Sequence, residues 1–364
     1  MQGLVQGDLP ISERLQTHLD HCLSCGLCES VCPAKVDYSY LIDSTRQWLQ
    51  QQPATKSPRL LQRLLHWLIQ KPRRMRLLHR VLYYYQQSGL LNIFKKRLNL
   101  LTRLHAYLPT LARPTDWHVD YPTQIIPKQG RVGLFQGCMQ SLCDQKTLQD
   151  SIDLLNRLGV GVYLPKQQHC CGALALHSGM PKETAHNAAC NSHLFNQHAL
   201  DAIISTTPGC TIVMKHYQQH PGIQAPVSFN APLLDIHEFI SRLDWSGVRF
   251  AKTHYTVAIH TPCTESALFK TEIIRELLQK IPGITLIPLH PKPTCCGAAG
   301  SYMFDNPEMA DALCSKLFSN LAQTPDVIVS SNLGCLLHLR TYLQKNAIHI
   351  SVQHPISLLV EHMV

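Results

Sequence analysis

Four cysteines of this chain recur at one fixed displacement, and that repeat constrains the fold more than any other feature. Cys138, Cys170, Cys171 and Cys210 return as Cys263, Cys295, Cys296 and Cys335, each 125 residues on. Gly172 and Ala173 return as Gly297 and Ala298, and DAIIS at 201–205 returns as DVIVS at 326–330. With 15 cysteines among 364 residues, four coincidences at a single offset define a duplicated unit, a pair and not a solenoid.

Each copy reads as strand, cysteine loop, helix, strand, CCG loop, helix, strand, cysteine loop. The predicted strands are RVGLF, VGVYL and AIIS in the first copy and TVAIH, ITLIPL and VIVS in the second. Short β-branched runs alternating with helical patterns predict parallel sheets. Such sheets gather ligand sites outside the carboxyl ends of their strands, where every repeated cysteine falls. The expected fold is α+β overall: a small α-helical ferredoxin-like domain over 1–50, a basic amphipathic helical segment and Pro-rich linker over 51–130, then two pseudo-symmetric α/β units over 131–245 and 246–364.

The N-terminal run HCLSCGLCESVCP places Cys22, Cys25, Cys28 and Cys32 as C-x-x-C-x-x-C-x-x-x-C-P, the bacterial ferredoxin spacing for a [4Fe-4S] cluster. Structural zinc more often pairs two C-x-x-C knuckles at long separation. In two-cluster ferredoxins the fourth cysteine of a run serves the other cluster, so Cys32 either closes its own cube or belongs to a lost neighbour. The CCG quartets, Cys138, Cys170, Cys171 and Cys210 and then Cys263, Cys295, Cys296 and Cys335, leave iron-sulfur, zinc and redox-active thiols open. His169, His260 and His290 lie near these loops and are weaker candidates as ligands or proton relays. Cys143, Cys190 and Cys314 lack repeat partners and read as small buried hydrophobes.

Composition narrows the class. At 45% hydrophobic and 16% charged residues the chain is globular, and neither a run of eighteen apolar residues nor a secretory leader pattern is present. A cytoplasmic setting is expected, where so many cysteines favour metal ligation over disulfides. The net charge of +9 is concentrated: 13 Lys and Arg and no Asp or Glu lie between Lys56 and Arg113, leaving the remainder at −4. This Leu-rich segment predicts two or three amphipathic helices broken near Pro72 and Gly89. Arg73, Arg74, Arg76 and Arg80 are expected to dock it on a membrane face or a partner. No nucleic-acid module is recognised, and no dinucleotide fingerprint, P-loop or nucleophile elbow occurs.

The ordered set HLDHCLSCGLCESVCPAKVDYSYLID, QGCM, QHCCGALALHSG, HTPCTESAL, TCCGAAGSYMFDNPEMADAL and PDVIVSSNLGC resembles the iron-sulfur subunit of bacterial glycolate oxidase. More broadly it is similar to CCG proteins such as the anaerobic glycerol-3-phosphate dehydrogenase C subunit and the heterodisulfide reductase B subunit. The resemblance implies an electron-transfer subunit without catalytic residues of its own. A partner subunit carrying FAD would oxidise a 2-hydroxy acid, glycolate first among them, and the electrons would pass towards quinone or a quinone-linked acceptor at the inner face of the cytoplasmic membrane. By position, Cys22, Cys25, Cys28 and Cys32 match the ferredoxin-like cluster, and the two quartets match the CCG sites, holding further iron-sulfur clusters or zinc. Two departures stand out. Glycolate oxidase relatives carry two ferredoxin runs, so a second is expected upstream of Met1 or has been lost. The heterodisulfide reductase pattern ends each unit in C-x-x-C, whereas Cys210 is followed by TIV and Cys335 by LLH, which weighs against disulfide reduction, the alternative activity.

Overall fold

The computed structural model describes residues 1–52, 64, 67–88, 108–220, 222–223, 227–268, 272–292, 294–319, 321 and 323–364. Among them lie two sheets. The first has five strands in the order β1-β3-β2-β4-β5, with β1 Asp120–Tyr121, β2 Gly130–Phe135, β3 Val160–Tyr163, β4 Ala202–Ser205 and β5 Leu233–Asp235. The second has four, β7-β6-β8-β9, with β6 Thr256–His260, β7 Thr285–Pro288, β8 Val327–Ser330 and β9 Ser351–Gln353. Only β1 runs antiparallel. Apart from it, the two strand orders are the same.

The central strands are buried on both faces because helices cover both, and their sequences are accordingly apolar without polar alternation. Side-chain alternation still decides which layer each residue enters. Val132 and Leu134 of β2, with Val257 and Ile259 of β6, face one core shared by both sheets; Leu148, Ile152 and Leu155 of the helix Gln145–Arg157 and Leu358 and Leu359 of the helix Pro355–His362 fill it. The opposite faces build separate cores, Phe135 with Ile203, Phe195 and Tyr217 in the first unit and Ala258 with Ile328, Leu336 and Cys314 in the second. Fully burying one such Leu or Ile contributes about 1.5–3 kcal/mol, so the shared core binds the two sheets into one body. Gly133 is required in β2, since a Cβ there would lie 2.7 Å from the Phe195 ring.

Matching polar ties flank the central strands. The Arg131 N–H donates to Asp201 Oδ2 and the Thr256 N–H to Asp326 Oδ2, both at 2.7 Å, the second tie lying 125 residues on from the first. Thr206 Oγ1 donates to Gln140 Oε1 at 2.6 Å; at the displaced positions the Ser331 hydroxyl donates to the Glu265 carboxylate.

The N-terminal segment packs on both units. Ser12 caps the helix Glu13–Asp20 by accepting the Leu15 N–H at 3.2 Å, worth about 1 kcal/mol. From the helix Tyr38–Gln50, the Arg46 guanidinium donates to Leu19 O (3.0 Å), Cys22 O (2.8 Å), Ser24 Oγ (2.8 Å) and, in the first unit, His177 O (3.1 Å). Asp43 holds His177 Nδ1 at 3.1 Å. Gly179 lets this turn approach closely, as a Cβ would lie 2.7 Å from the Arg46 backbone. Leu23, in contrast, packs into the core of the second unit.

Much of the basic segment, Gly89 included, lies outside the described residues. Within it the helix Pro72–Gln87 begins at Pro72, a residue that breaks helices internally but suits their first turn. Its apolar side (Met75, Leu78, Leu82) packs against Leu142. No helix among the described residues is long and apolar enough to cross a membrane.

Candidate metal centres

Each repeated cysteine follows a strand end or opens a helix there. Cys138 and Cys263 begin the helices Cys138–Cys143 and Cys263–Leu268 after β2 and β6. Cys210 lies in the first turn of Pro208–Lys215 after β4, and Cys335 in that of Leu333–Lys345 after β8. Asn332 caps the latter helix, its side chain accepting the Gly334 N–H at 3.1 Å. The CCG loops follow β3 and β7.

The sulfurs of each quartet converge. In the first unit Cys138 Sγ lies 3.1 Å from Cys170 Sγ and Cys171 Sγ 3.3 Å from Cys210 Sγ, with a further thiol contact between Cys170 and Cys171. In the second, Cys295 takes hydrogen bonds from Cys263 and Cys296, and Cys296 also bonds Cys335. The glycine after each pair is left-handed, φ 82° at Gly172 and 84° at Gly297, which turns its N–H onto the preceding Cys170 or Cys295 sulfur at 3.4 Å in both units. A β-carbon would collide with Thr184 at Gly172 and with the Ala310 carbonyl at Gly297. Distinct groups then fix the second cysteine's backbone: the Tyr217 hydroxyl donates to Cys171 O at 2.6 Å, and His338 Nδ1 lies 2.7 Å from Cys296 O.

The electrostatics of each quartet are those of a set of donors to positive charge. Hydrogen bonding to Cys170 and then burial push the Cys138 thiol well up; Cys171 rises for the same reasons, through Cys170 and Cys210. Cys263 and Cys296 rise through their bonds to Cys295, which falls because both, with the Gly297 N–H, stabilise its thiolate. Cys170, Cys171, Cys295, Cys296 and Cys335 are buried and Cys138, Cys210 and Cys263 half-buried, and four thiols so close together cannot all ionise without positive charge among them. A thiophilic metal or iron-sulfur core supplies that charge, so the residues present fit such a group.

The N-terminal run meets the same space. Cys22 and Cys25 line a cavity of about 2530 Å³ together with all eight CCG cysteines. Burial raises the Cys25 thiol, and the charges of Cys295, Cys22 and Cys28 add to it, which sets this loop against the second unit. Ser24 (φ 48°) and Gly26 (φ 68°) are left-handed, giving the loop its tight path. Cys28 is exposed and Cys32 half-buried; neither lines the cavity.

Among the other candidates, Cys314 is buried as expected, while Cys143 and Cys190 are only partly buried. Cys190 corrects its reading as a packed residue: it shares the helix Pro181–Asn196 with His186, one turn away, and its Sγ lies 3.9 Å from His186 Nε2. These two and His169 bring three ligand atoms within 4.8 Å of one another. His290 instead serves its own turn, with Nδ1 3.0 Å from Thr294 Oγ1. His260 is buried with its Nδ1 2.9 Å from Ser330 Oγ, and a ring nitrogen lies within 4.8 Å of the Cys296 and Cys335 sulfurs. Burial pushes its pKa down to about 4. Arg46, which grips the Cys22 backbone, was missed in sequence: a helical arginine 22 or more residues from its acceptors leaves no local pattern.

A strand-end quartet of cysteines closed by a CCG turn, on a small parallel sheet, defines a cysteine-rich α/β module. The CCG cysteine-rich domain family matches residues 132–215 and 257–340, and the chain therefore carries two copies of that domain. Over most of its length it is similar to the probable glycolate oxidase iron-sulfur subunit of Bacillus subtilis (28% identity, 99% of this chain and 86% of the relative). A similar match is the glycolate oxidase iron-sulfur subunit of Escherichia coli (28% identity, 90% of this chain and 79% of the relative). Lactate utilization protein A of Shouchella clausii is 25% identical over 61% of this chain and 95% of its own.

Proposed function

We propose that this chain is the iron-sulfur, electron-transferring subunit of a flavin-linked 2-hydroxy acid dehydrogenase, with glycolate as the first substrate to test and lactate the second. The observation that carries this reading is the convergence of two cysteine quartets, buried at Cys170, Cys171, Cys295, Cys296 and Cys335, and the N-terminal cysteine loop on one cavity. In this reading Cys22, Cys25, Cys28 and Cys32 hold a [4Fe-4S] cluster. Cys138, Cys170, Cys171 and Cys210 hold a second centre, and Cys263, Cys295, Cys296 and Cys335 a third. We also read the two units as pseudo-symmetric copies within four segments, 1–50, 51–130, 131–245 and 246–364, the first of them ferredoxin-like.

When bound, iron-sulfur groups accept and release single electrons. The protein's own residues do the rest. Arg46 fixes the N-terminal loop, the Gly172 and Gly297 N–H groups stabilise sulfur charge, and burial of the two CCG pairs keeps water from that side of each quartet. Substrate oxidation would fall to a partner subunit carrying FAD, and the acceptor would be quinone or a quinone-linked carrier.

The test is anaerobic purification with iron, sulfide and zinc analysis, followed by electron paramagnetic resonance during reduction by the flavoprotein and its hydroxy acid. Iron signals that appear only with the flavoprotein present are expected. A colourless, iron-free protein holding stoichiometric zinc after reconstitution would defeat the proposal, as would disulfide reduction by this chain alone with an artificial donor.

The exposed face of the helix Pro72–Gln87 supports peripheral docking on an anionic membrane. Arg73, Arg76 and Arg80 are exposed there beside Leu77, Val81 and Tyr84, which are 63%, 57% and 67% exposed. Arg74 does not belong to that face, because its guanidinium stacks 3.7 Å over Trp67 and donates to the Trp67 carbonyl. Each basic side chain near an anionic surface contributes about 1 kcal/mol, so changing Arg73, Arg76 and Arg80 to Glu should weaken binding to phosphatidylserine vesicles at least about a hundredfold at low salt. Equal cosedimentation of variant and parent would remove the membrane role.

A further inference from the structure

The two quartets differ in one neighbour. Position 135 ends β2 as Phe135, which pairs across the sheet with Ser205; position 260 ends β6 as His260, which pairs in the same register with Ser330. Both side chains enter the layer holding the sulfurs, and both are buried. In the first unit Ser205 turns its hydroxyl to its own loop, accepting the Thr207 N–H at 3.2 Å. In the second, Ser330 Oγ meets His260 Nδ1 at 2.9 Å, and His260 Nε2 is left buried with no hydrogen-bond partner. A ring nitrogen of His260 stands within 4.8 Å of the Cys296 and Cys335 sulfurs, themselves within that distance of each other.

An unpartnered polar nitrogen buried in a protein is costly, by about 1–3 kcal/mol, and it persists where a missing group satisfies it. The serine hydroxyl can donate to Nδ1, which puts the ring proton on Nε2. That tautomer is also the one favoured beside thiolate sulfurs, whose negative charge repels a nitrogen lone pair. We propose that His260 donates an Nε2–H hydrogen bond to the sulfurs of the second-unit centre, stabilising its reduced, more negative state. The second centre is thereby more oxidising than the first, where Phe135 offers no donor. Electrons shared between the two units then reside on the second.

This inference rests on the reading that the second quartet holds an iron-sulfur group. His260 is a positioning residue here, so its test reads potentials and spectra and not turnover. In anaerobic redox titrations of the full chain followed by electron paramagnetic resonance, His260→Phe should lower the midpoint of one centre alone. A lost hydrogen bond to a charged group corresponds to about a tenfold fall in that centre's reduced-to-oxidised ratio at a fixed potential. His260→Gln, which keeps an N–H donor, should recover part of the shift. Pulsed measurements on protein carrying 15N-histidine should show a weak nitrogen coupling that His260→Phe removes. Unchanged midpoints in a variant with full iron overturn the proposal, as does the strong coupling of a directly bound nitrogen. If His260→Phe loses iron, the His260→Gln titration decides. Iron counts separate the two readings: if Cys296→Ser leaves the iron content at the parent's value, the second unit holds none, and the functional proposal fails there before this one is reached.

Discussion

Cys296→Ser should lose the iron of the second unit and keep the signal of the N-terminal run, while Cys171→Ser should do the reverse between the two units. Cys296 is 2% exposed and bonds two other sulfurs, so the substitution removes a thiolate donor from the middle of the quartet and leaves a hydroxyl that ligates soft metal poorly. Because ligand binding in such sites is also folding energy, several kcal/mol of stability should go with the metal, concentrated in the mutated half. Iron per chain, measured beside thermal unfolding, gives the result. Equal iron in parent and both variants would mean that neither quartet holds any.

Gly297→Ala should be about as damaging without touching a single sulfur. The residue sits at φ 84°, where an L-residue pays about 1–2 kcal/mol, and its new Cβ would stand 2.6 Å from the Ala310 carbonyl oxygen. Overpacking of this kind costs about a further 1–3 kcal/mol, for a total near 3 kcal/mol. Relief by rotating the turn would swing the Gly297 N–H away from Cys295, so metal retention should fall with stability. Gly247→Ala is the control: no atom lies within 4 Å of its Cβ position, and its stability should match the parent. Denaturant midpoints of the two variants measure the contrast, and similar midpoints would refute the argument from backbone geometry.

The strands that could be read from sequence were those with continuous apolar runs. RVGLF, VGVYL, AIIS, TVAIH, ITLIPL and VIVS each overlap a strand, and all but ITLIPL, whose strand β7 is a half-exposed edge, are largely buried on both faces. The strands β1, β5 and β9 are two or three residues long, too short for any period to show, and their pairing comes from neighbours already in place. Convergence of the sulfurs was legible because cysteines placed after parallel strands have one edge to reach. What distinguishes the two quartets was not. His260 stands among 21 histidines, and only the register that sets it opposite Ser330, where the other unit has Phe135 opposite Ser205, gives it meaning. Cys190 was misread for a related reason: a repeat offset reveals shared cysteines and says nothing of one whose partner, His186, lies a turn away on its own helix.

The Arg46 guanidinium bears on how such a protein can be put together. Its acceptors come from the helix before the cysteine loop, from the loop itself and from a turn 131 residues further along the chain, while Leu23 is held by the second unit. The loop therefore acquires its final shape only after both sheets exist. A cluster delivered to Cys22 during synthesis would meet a flexible peptide, and one delivered afterwards a fixed cradle. Transplanting these thirteen residues into another scaffold would carry the ligands and leave behind the grip, unless the helix bearing Arg46 and the turn ending at Gly179 travelled with them.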